Sequence, residues 1–270
     1  MRPNTVFVCL VGLSMLLTSC GRPINRASIT GGPQQPAGTS AQQLSQPESG
    51  PAGPVDPDPR VGAVFLDGRA DHVCTGSVVH STSGDLVLTA AHCLPRGTPA
   101  TFVPGFTGDA PTPDTWTVDA IYLDTRWITG KDPRADYAIA RVSKAGGGSV
   151  EAHAGSALSL GTAPAAGSRV TVTGYPAGVG GRPVRCQGST GLTDSGFPSL
   201  PCEGLVDGTS GAPWISGSAV TGVIGGLEAG GCTPKVSYSA PFDERTAQLL
   251  ARAEARGPGD TPPAHFDNSC

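Results

Sequence analysis

Charge is scarce in this chain. Only 15% of the 270 residues are Asp, Glu, Lys or Arg, against about 25% in an ordinary soluble domain. The formal net charge is -4 and no basic block interrupts the sequence, so nucleic acid is not an expected partner. Aromatic residues make up 5%. No apolar run reaches the roughly 18 residues of a membrane-spanning helix. No glycine fingerprint of nucleotide binding is present, and no cysteine pair has the C-x₂-C spacing of a zinc site. Neither a cofactor nor a metal is therefore expected.

Glycine and proline are plentiful instead, with 39 and 26 residues. Many of them fall in an N-terminal region that reads as processing and linker sequence. Arg2 supplies a positive start, and Val6–Leu17, "VFVCLVGLSMLL", is an apolar run of signal-peptide length. "LTSC", Leu17–Cys20, is similar to the signal motif of bacterial lipoproteins, which places a lipid on Cys20; the alternative is an ordinary secretory signal cleaved near Ser19 or Cys20. Each buried methylene of such a lipid contributes about 0.8 kcal/mol, and two or more chains hold a protein stably on a membrane. Residues 1–19 are thus expected to be a signal and residues 20–60 a disordered Pro/Gly/Gln-rich tether, too poor in apolar residues to bury a core. A flexible coil of that length spans about 35 Å. The expected location is exported, anchored at the cell surface or membrane, with full secretion as the alternative.

From Val61 the pattern changes. "VGAVFL" (Val61–Leu66), "CTGSVV" (Cys74–Val79), "DLVLTA" (Asp85–Ala90), "TVDAIYL" (Thr117–Leu123), "YAIARV" (Tyr137–Val142), "RVTVTGY" (Arg169–Tyr175) and "VTGVIGGL" (Val220–Leu227) are runs of strand length separated by turn residues. Many short strands with Gly/Pro turns imply an all-β barrel or sandwich. One segment reads as helix, Asp243–Ala255, with acidic residues early, arginines late and Gly257 just beyond. Residues 257–270 read as an irregular tail.

Three stretches carry reactive side chains. In "LTAAHC", Leu88–Cys93, His92 is followed by Cys93, and Cys74 lies in a neighbouring expected strand. A Cys74–Cys93 disulfide would staple the loop that holds His92 and contribute about 3 kcal/mol in an exported protein. In "RADYAIARV", Asp136 precedes a strand; it is either a surface residue or a carboxylate entering the interior to orient an imidazole. In "VDGTSGAPW", Val206–Trp214, Ser210 sits in a Gly-rich turn. A serine hydroxyl is inert at pH 7 unless a base takes its proton, and the base works best when a third group fixes its tautomer.

Together "CTGSVV…LVLTAAHC", "DYAIARV", "VTGYPAG" and "GTSGAP" resemble a trypsin/chymotrypsin-like serine peptidase, over roughly Val61–Ala255. "TGYP" and "VGAVF" bring the chain closer to the bacterial branch containing the glutamyl endopeptidases. The resemblance implies two packed six-stranded antiparallel β-barrels with a C-terminal helix, in a peptidase domain of residues 61–256. It implies Ser210 as nucleophile, His92 as general base and then acid, and Asp136 as the orienting carboxylate. Backbone N–H groups of Gly208 and Ser210 would form the oxyanion hole, and Gly204, Gly225, Gly226 and Leu227 the substrate-binding wall. The expected partner is a peptide or protein substrate, met by a monomer. A catalytically quiet peptide-binding module on the same fold is the alternative.

The pattern departs from the family in three places. Thr209 stands where the animal enzymes have the Asp that pairs with a newly cut N-terminus, so the chain is expected to be active without cleavage after Arg60. Ile224 stands where the glutamyl branch has a pocket histidine, so glutamate preference is not supported. Gly225 replaces a serine that commonly supports the triad Asp. Of the remaining cysteines, Cys186–Cys202 and Cys232–Cys270 are the expected pairs, among 15 connectivities open to six cysteines. His72, His80, His153 and His265 are taken as non-catalytic.

Overall fold

The β-branched runs become strands, and the turn residues between them reverse the chain almost every time. The computed structural model describes residues 50–108, 114–177 and 181–264. The signal, the tether up to residue 49, Cys20, His265 and Cys270 lie outside the described residues.

Strand β1 is Gly53–Pro54. Strands β2 (Val61–Leu66), β3 (His72–Val79), β4 (Leu86–Thr89), β5 (Ala100–Pro104) and β6 (Trp116–Leu123) follow. A short helix α1 (Thr125–Gly130) leads to β7 (Ala138–Ser143) and a second, α2 (Val150–Ala154), to β8 (Ser159–Leu160). Strands β9 (Arg169–Gly174), β10 (Val184–Ser189), β11 (Gly191–Leu192), β12 (Pro198–Pro201), β13 (Pro213–Ser216), β14 (Ala219–Val223) and β15 (Val236–Tyr238) precede helix α3 (Glu244–Glu254).

Strands β2-β3-β4-β7-β6-β5 close into an antiparallel barrel, with β2 pairing both β3 and β5. Alternation along its strands sorts the apolar residues into two sets. Val64, Val78, Val87, Phe102, Trp116, Ala138 and Ala140 come from all six strands and fill the barrel. Val61, Phe65, Leu88, Val103, Tyr122 and Ile139 point the other way and meet Ile215, Val220, Val223 and Phe242 of the second half and Leu249 of α3. Each such side chain contributes about 1.5–3 kcal/mol when fully buried, so this second set welds the halves together.

The chain adopts the expected all-β architecture with a C-terminal helix, and the first of the two expected six-stranded barrels is closed. The second half differs in detail. It is a six-stranded sheet, β1-β10-β9-β13-β14-β8, beside a three-stranded sheet, β11-β12-β15, with a core of Val170, Val172, Leu200, Trp214 and Ile224. Helix α3 starts as its sequence suggests. Asp243 caps it, accepting from Arg245 N–H, and Thr246 completes a capping box.

Both ends of the folded region extend past the expected limits of residues 61 and 256. On the N-terminal side, Gly53–Pro54 pairs with Arg185 and Val184, and Ala52 N–H donates to Glu203 O at 2.6 Å. Residues 50–60, expected in the tether, are therefore part of the fold. Backbone pairing at a sheet edge needs no apolar side chain, and an edge tolerates proline. On the C-terminal side, Asp260 N–H donates to Ile121 O at 2.7 Å and Arg96 N–H to Pro263 O at 3.1 Å.

Candidate active site

His92 sits in the 3₁₀ turn Ala91–Cys93 that ends β4. The Cys74–Cys93 disulfide, with Cα atoms 6.1 Å apart, ties this turn to β3. Asp136 sits where the turn Pro133–Ala135 runs into β7, a turn capped by the Asp132 side chain. The two residues meet twice: His92 N–H donates to Asp136 Oδ1 at 3.0 Å, and His92 Nδ1 lies 2.8 Å from Oδ2. A third donor comes from the second half, Gly226 N–H to Oδ2 at 2.8 Å. Of the two readings of Asp136, the interior one holds, since the residue is 1% exposed. Burial pushes its carboxyl up, but the His92 charge and the three hydrogen bonds outweigh that and hold it below the usual carboxylate range. A carboxylate that only accepts assigns the proton to Nδ1, which leaves Nε2 as the basic nitrogen.

Ser210 is half-buried in the turn between the three-stranded sheet and β13. Its carbonyl accepts from Thr75 N–H at 2.7 Å, and Gly211 N–H donates to Ile224 O at 2.7 Å. Ala90, two residues before His92, is where the three segments meet. A Cβ at Gly211 would lie 3.0 Å from Ala90 N, and one at Gly225 would lie 3.3 Å from Ala90 Cβ and 3.1 Å from Asp136 Oδ2. The Ser210 turn thus lies against the residue that opens the His92 turn, and Gly225 lies between that residue and the Asp136 carboxylate. The neighbouring Gly226 supplies a backbone donor to that same Oδ2.

The turn before Ser210 has a defined orientation. Asp207 O accepts from Ala177 N–H at 2.7 Å, and Thr209 O accepts from Ala212 N–H at 2.9 Å. In a planar trans peptide the C=O and the following N–H point opposite ways. Each anchored carbonyl therefore turns the N–H that follows it, of Gly208 or of Ser210, away from its own partner, and neither N–H donates to an acceptor among the described residues. Two such donors side by side can receive a negatively charged oxygen. Gly208 has φ +88°, and a Cβ there would come within 2.5 Å of Ala177 N and 2.6 Å of Tyr175 O. Only glycine fits. Thr209 is buried and uncharged, and its hydroxyl is spent on Val206 O at 2.6 Å.

Beside Ser210 opens a cavity of about 250 Å³, lined among others by Leu205, Thr209, Ile224, Ala229 and Pro234. Gly204, Gly225, Gly226 and Leu227 do not line it. Gly204 faces the N-terminal segment, with Ala52 Cβ 3.4 Å from where its own Cβ would be. Gly225 N–H is spent on Tyr238 O and Gly226 N–H on Asp136. The strand expected to run to Leu227 stops at Val223, because Gly226, Glu228 and Ala229 have φ of 82°, 51° and 48° and curl the chain.

Cys186 and Cys202 form a disulfide between β10 and the segment entering the cavity wall. Cys232 is disulfide-bonded; its expected partner, Cys270, lies outside the described residues. The group Cys74, His92 and Cys93 has its ligand-type atoms within 4.8 Å of one another, but both sulfurs are consumed by the disulfide and offer no thiolate to a metal. His72 is buried, 2.9 Å from Tyr175 O through Nε2, and supports the barrel contact. His80 and His153 lie at the surface facing Glu151 and Asp114. Thr75 and Ala177 were not singled out by the sequence, since nothing local in it signals a contact with residues 30 or more positions away.

The model of the trypsin-like peptidase domain matches residues 74–225. No curated protein matches the chain. Among solved structures, the chain is similar to protease Anisep from Arthrobacter nicotinovorans, with TM-score 0.65 and 23% identity over 75% of this chain and 98% of that one. It is similar to a Glu endopeptidase, with TM-score 0.62 and 16% identity over 76% and 97%. Human heparin binding protein follows the same course, with TM-score 0.59 and 17% identity over 78% and 99%. At these identities the likeness is one of fold.

Proposed function

The chain belongs to the trypsin-like peptidase family, and from that premise we propose that it is an exported serine endopeptidase acting through Ser210, His92 and Asp136. Ser210 Oγ attacks the carbonyl carbon of the scissile bond and passes its proton to His92 Nε2. The N–H groups of Gly208 and Ser210 hold the oxygen that becomes negative. His92 then returns the proton to the departing amine, leaving an acyl-enzyme that water hydrolyses by the reverse path. Asp136 stays ionised and holds the imidazole in place. The observation that carries this reading is the paired His92–Asp136 hydrogen bonding, locked by Gly226 from the other half beside the Ser210 turn.

A fluorophosphonate probe tests it. Labelling of the parent chain on the peptide containing Ser210 is the expected result. A chain that takes no label but retains members of a peptide library is the quiet binding module instead.

The cleavage preference follows the cavity walls rather than the glutamyl branch. Ile224 offers an apolar wall 4% exposed, and no histidine among the described residues lines the cavity. Cleavage after Arg60 plays no part in activation. Val61 is fully buried at the start of β2, and the carbonyl of Arg60 accepts from Val78 N–H at 2.8 Å, so that peptide bond is built into the barrel. Two disulfides fit an oxidising, exported location. No helix among the described residues is long and apolar enough to cross a membrane, and Cys20 is the proposed lipid anchor for a monomer working at the cell surface. Cys20→Ala is expected to move the protein from the membrane fraction to the medium; an unchanged membrane fraction would remove the anchor from the proposal.

A further inference from the structure

Thr75 makes four hydrogen bonds through its three polar groups, and three of the four reach the oxyanion turn or its neighbour. Its N–H donates to Ser210 O at 2.7 Å, and its Oγ1 donates to Gly208 O at 3.0 Å. The same Oγ1 accepts from Tyr175 N–H at 2.9 Å. Its carbonyl accepts from Thr89 Oγ1 at 2.7 Å, fastening it to β4 just ahead of the His92 turn. Thr75 is fully buried, and Cys74 beside it carries the disulfide to Cys93.

We infer that Thr75 is the positioning residue that keeps the Gly208 and Ser210 N–H groups aimed for catalysis, in place of an ionic anchor on residue 209. The inference rests on the peptidase reading above. The two donor peptides are 207–208 and 209–210. The peptide between them, 208–209, has its carbonyl held by Thr75 Oγ1, and the peptide after them, 210–211, has its carbonyl held by Thr75 N–H. The N–H of the middle peptide is held only within the turn, Thr209 N–H to Val206 O at 3.0 Å, so without the Thr75 hydroxyl its carbonyl loses the tie to the barrel, and a tilt there passes to both donors, because each shares a Cα with it. Thr209 cannot resist that motion with a charge. Its own hydroxyl bonds within the same turn, to Val206 O, and so adds no tie to the barrel. The hydroxyl of Thr75 is the side-chain link from the first barrel to this turn. It is charge-free, so it needs no new N-terminus to form.

The test compares Thr75→Val, which keeps the shape and removes the hydroxyl, with Thr75→Ser, which keeps the hydroxyl. The substrate is the peptide that the parent cleaves best from a random library. The probes are the boronic acid made from its amino-terminal half, whose tetrahedral adduct places an oxygen in the hole, and the matching carboxylic-acid product. Thr75→Val is expected to lower kcat by about 10²-fold with KM close to the parent value, the scale of losing one oxyanion donor. Boronate affinity should fall in parallel while product affinity holds. Thr75→Ser should recover most of kcat. A folded Thr75→Val chain with parental kcat and boronate affinity would overturn the assignment, as would a Thr75→Ser chain equally impaired. A parent that neither cleaves nor takes the boronate overturns the peptidase reading, and this assignment with it.

Discussion

Ser210→Ala is expected to lower kcat for peptide hydrolysis by about 10⁶-fold and to leave KM near its parental value. The structure makes this a clean experiment. The serine turn is held by its backbone, through Ser210 O to Thr75 and Gly211 N–H to Ile224 O, and the hydroxyl takes part in no hydrogen bond among the described residues. Alanine therefore removes the nucleophile and little of the fold, and the melting temperature should stay within a few degrees, the scale of about 1 kcal/mol. A residual rate of about 10³–10⁴ over water should survive, because the donors of Gly208 and Ser210 remain. Progress curves at high enzyme concentration measure it. A variant as active as its parent would place the hydrolytic centre elsewhere in the molecule.

Asp136→Asn should cost about 10⁴ in kcat. The carboxylate accepts three N–H groups, two from His92 and one from Gly226. An asparagine amide has one oxygen for them. In either orientation its NH₂ faces an N–H, and in one it donates to His92 Nδ1 and moves the imidazole proton to the wrong nitrogen. The negative charge that steadies the imidazolium is lost in both. Kinetics on the folded variant, checked by circular dichroism, read this directly; a loss below about tenfold would make Asp136 a structural residue only. The same carboxylate couples to acid stability. Its folded pKa lies below the value near 3.8 of a free aspartate. Its contribution is therefore complete above that value and disappears as pH falls from there through the lower folded value. Melting temperatures taken downward from pH 7 should show the gap between parent and Asp136→Asn constant to about pH 5 and closing below about pH 4.

The candidate residues of the site were legible because each carries its signal in its own neighbourhood. His92 has Cys93 beside it, Ser210 has glycines on the turn, and Asp136 heads an alternating strand. The barrel strands were legible for the same reason, being runs of β-branched residues. Strand β10, "VRCQGS", was missed because its outward positions are Arg185 and Gln187 and its apolar ones are short. Strand β13 opens on Pro213, which reads as a break. Residues 50–60 were read as linker because composition registers side chains, whereas Gly53 and Pro54 are held through their backbone. The cavity beside Ser210 was not legible, because a run of glycines does not announce that Glu228 and Ala229 will take left-handed backbone angles. The role of Thr75 depends on partners at Tyr175, Gly208 and Ser210, 100 or more residues further on.

The two ends of the folded chain trade sides. Before entering the first barrel, residues 52–55 lie along β10 of the second half. After leaving the second half, α3 and the residues beyond it return to the first: Arg252 and Asp260 pair with each other over Leu123, and Arg256 reaches Asp85. Each half is thus laced by a strap that belongs to the other. Neither should melt while its neighbour stays intact, so heat is expected to dissolve the molecule in one step.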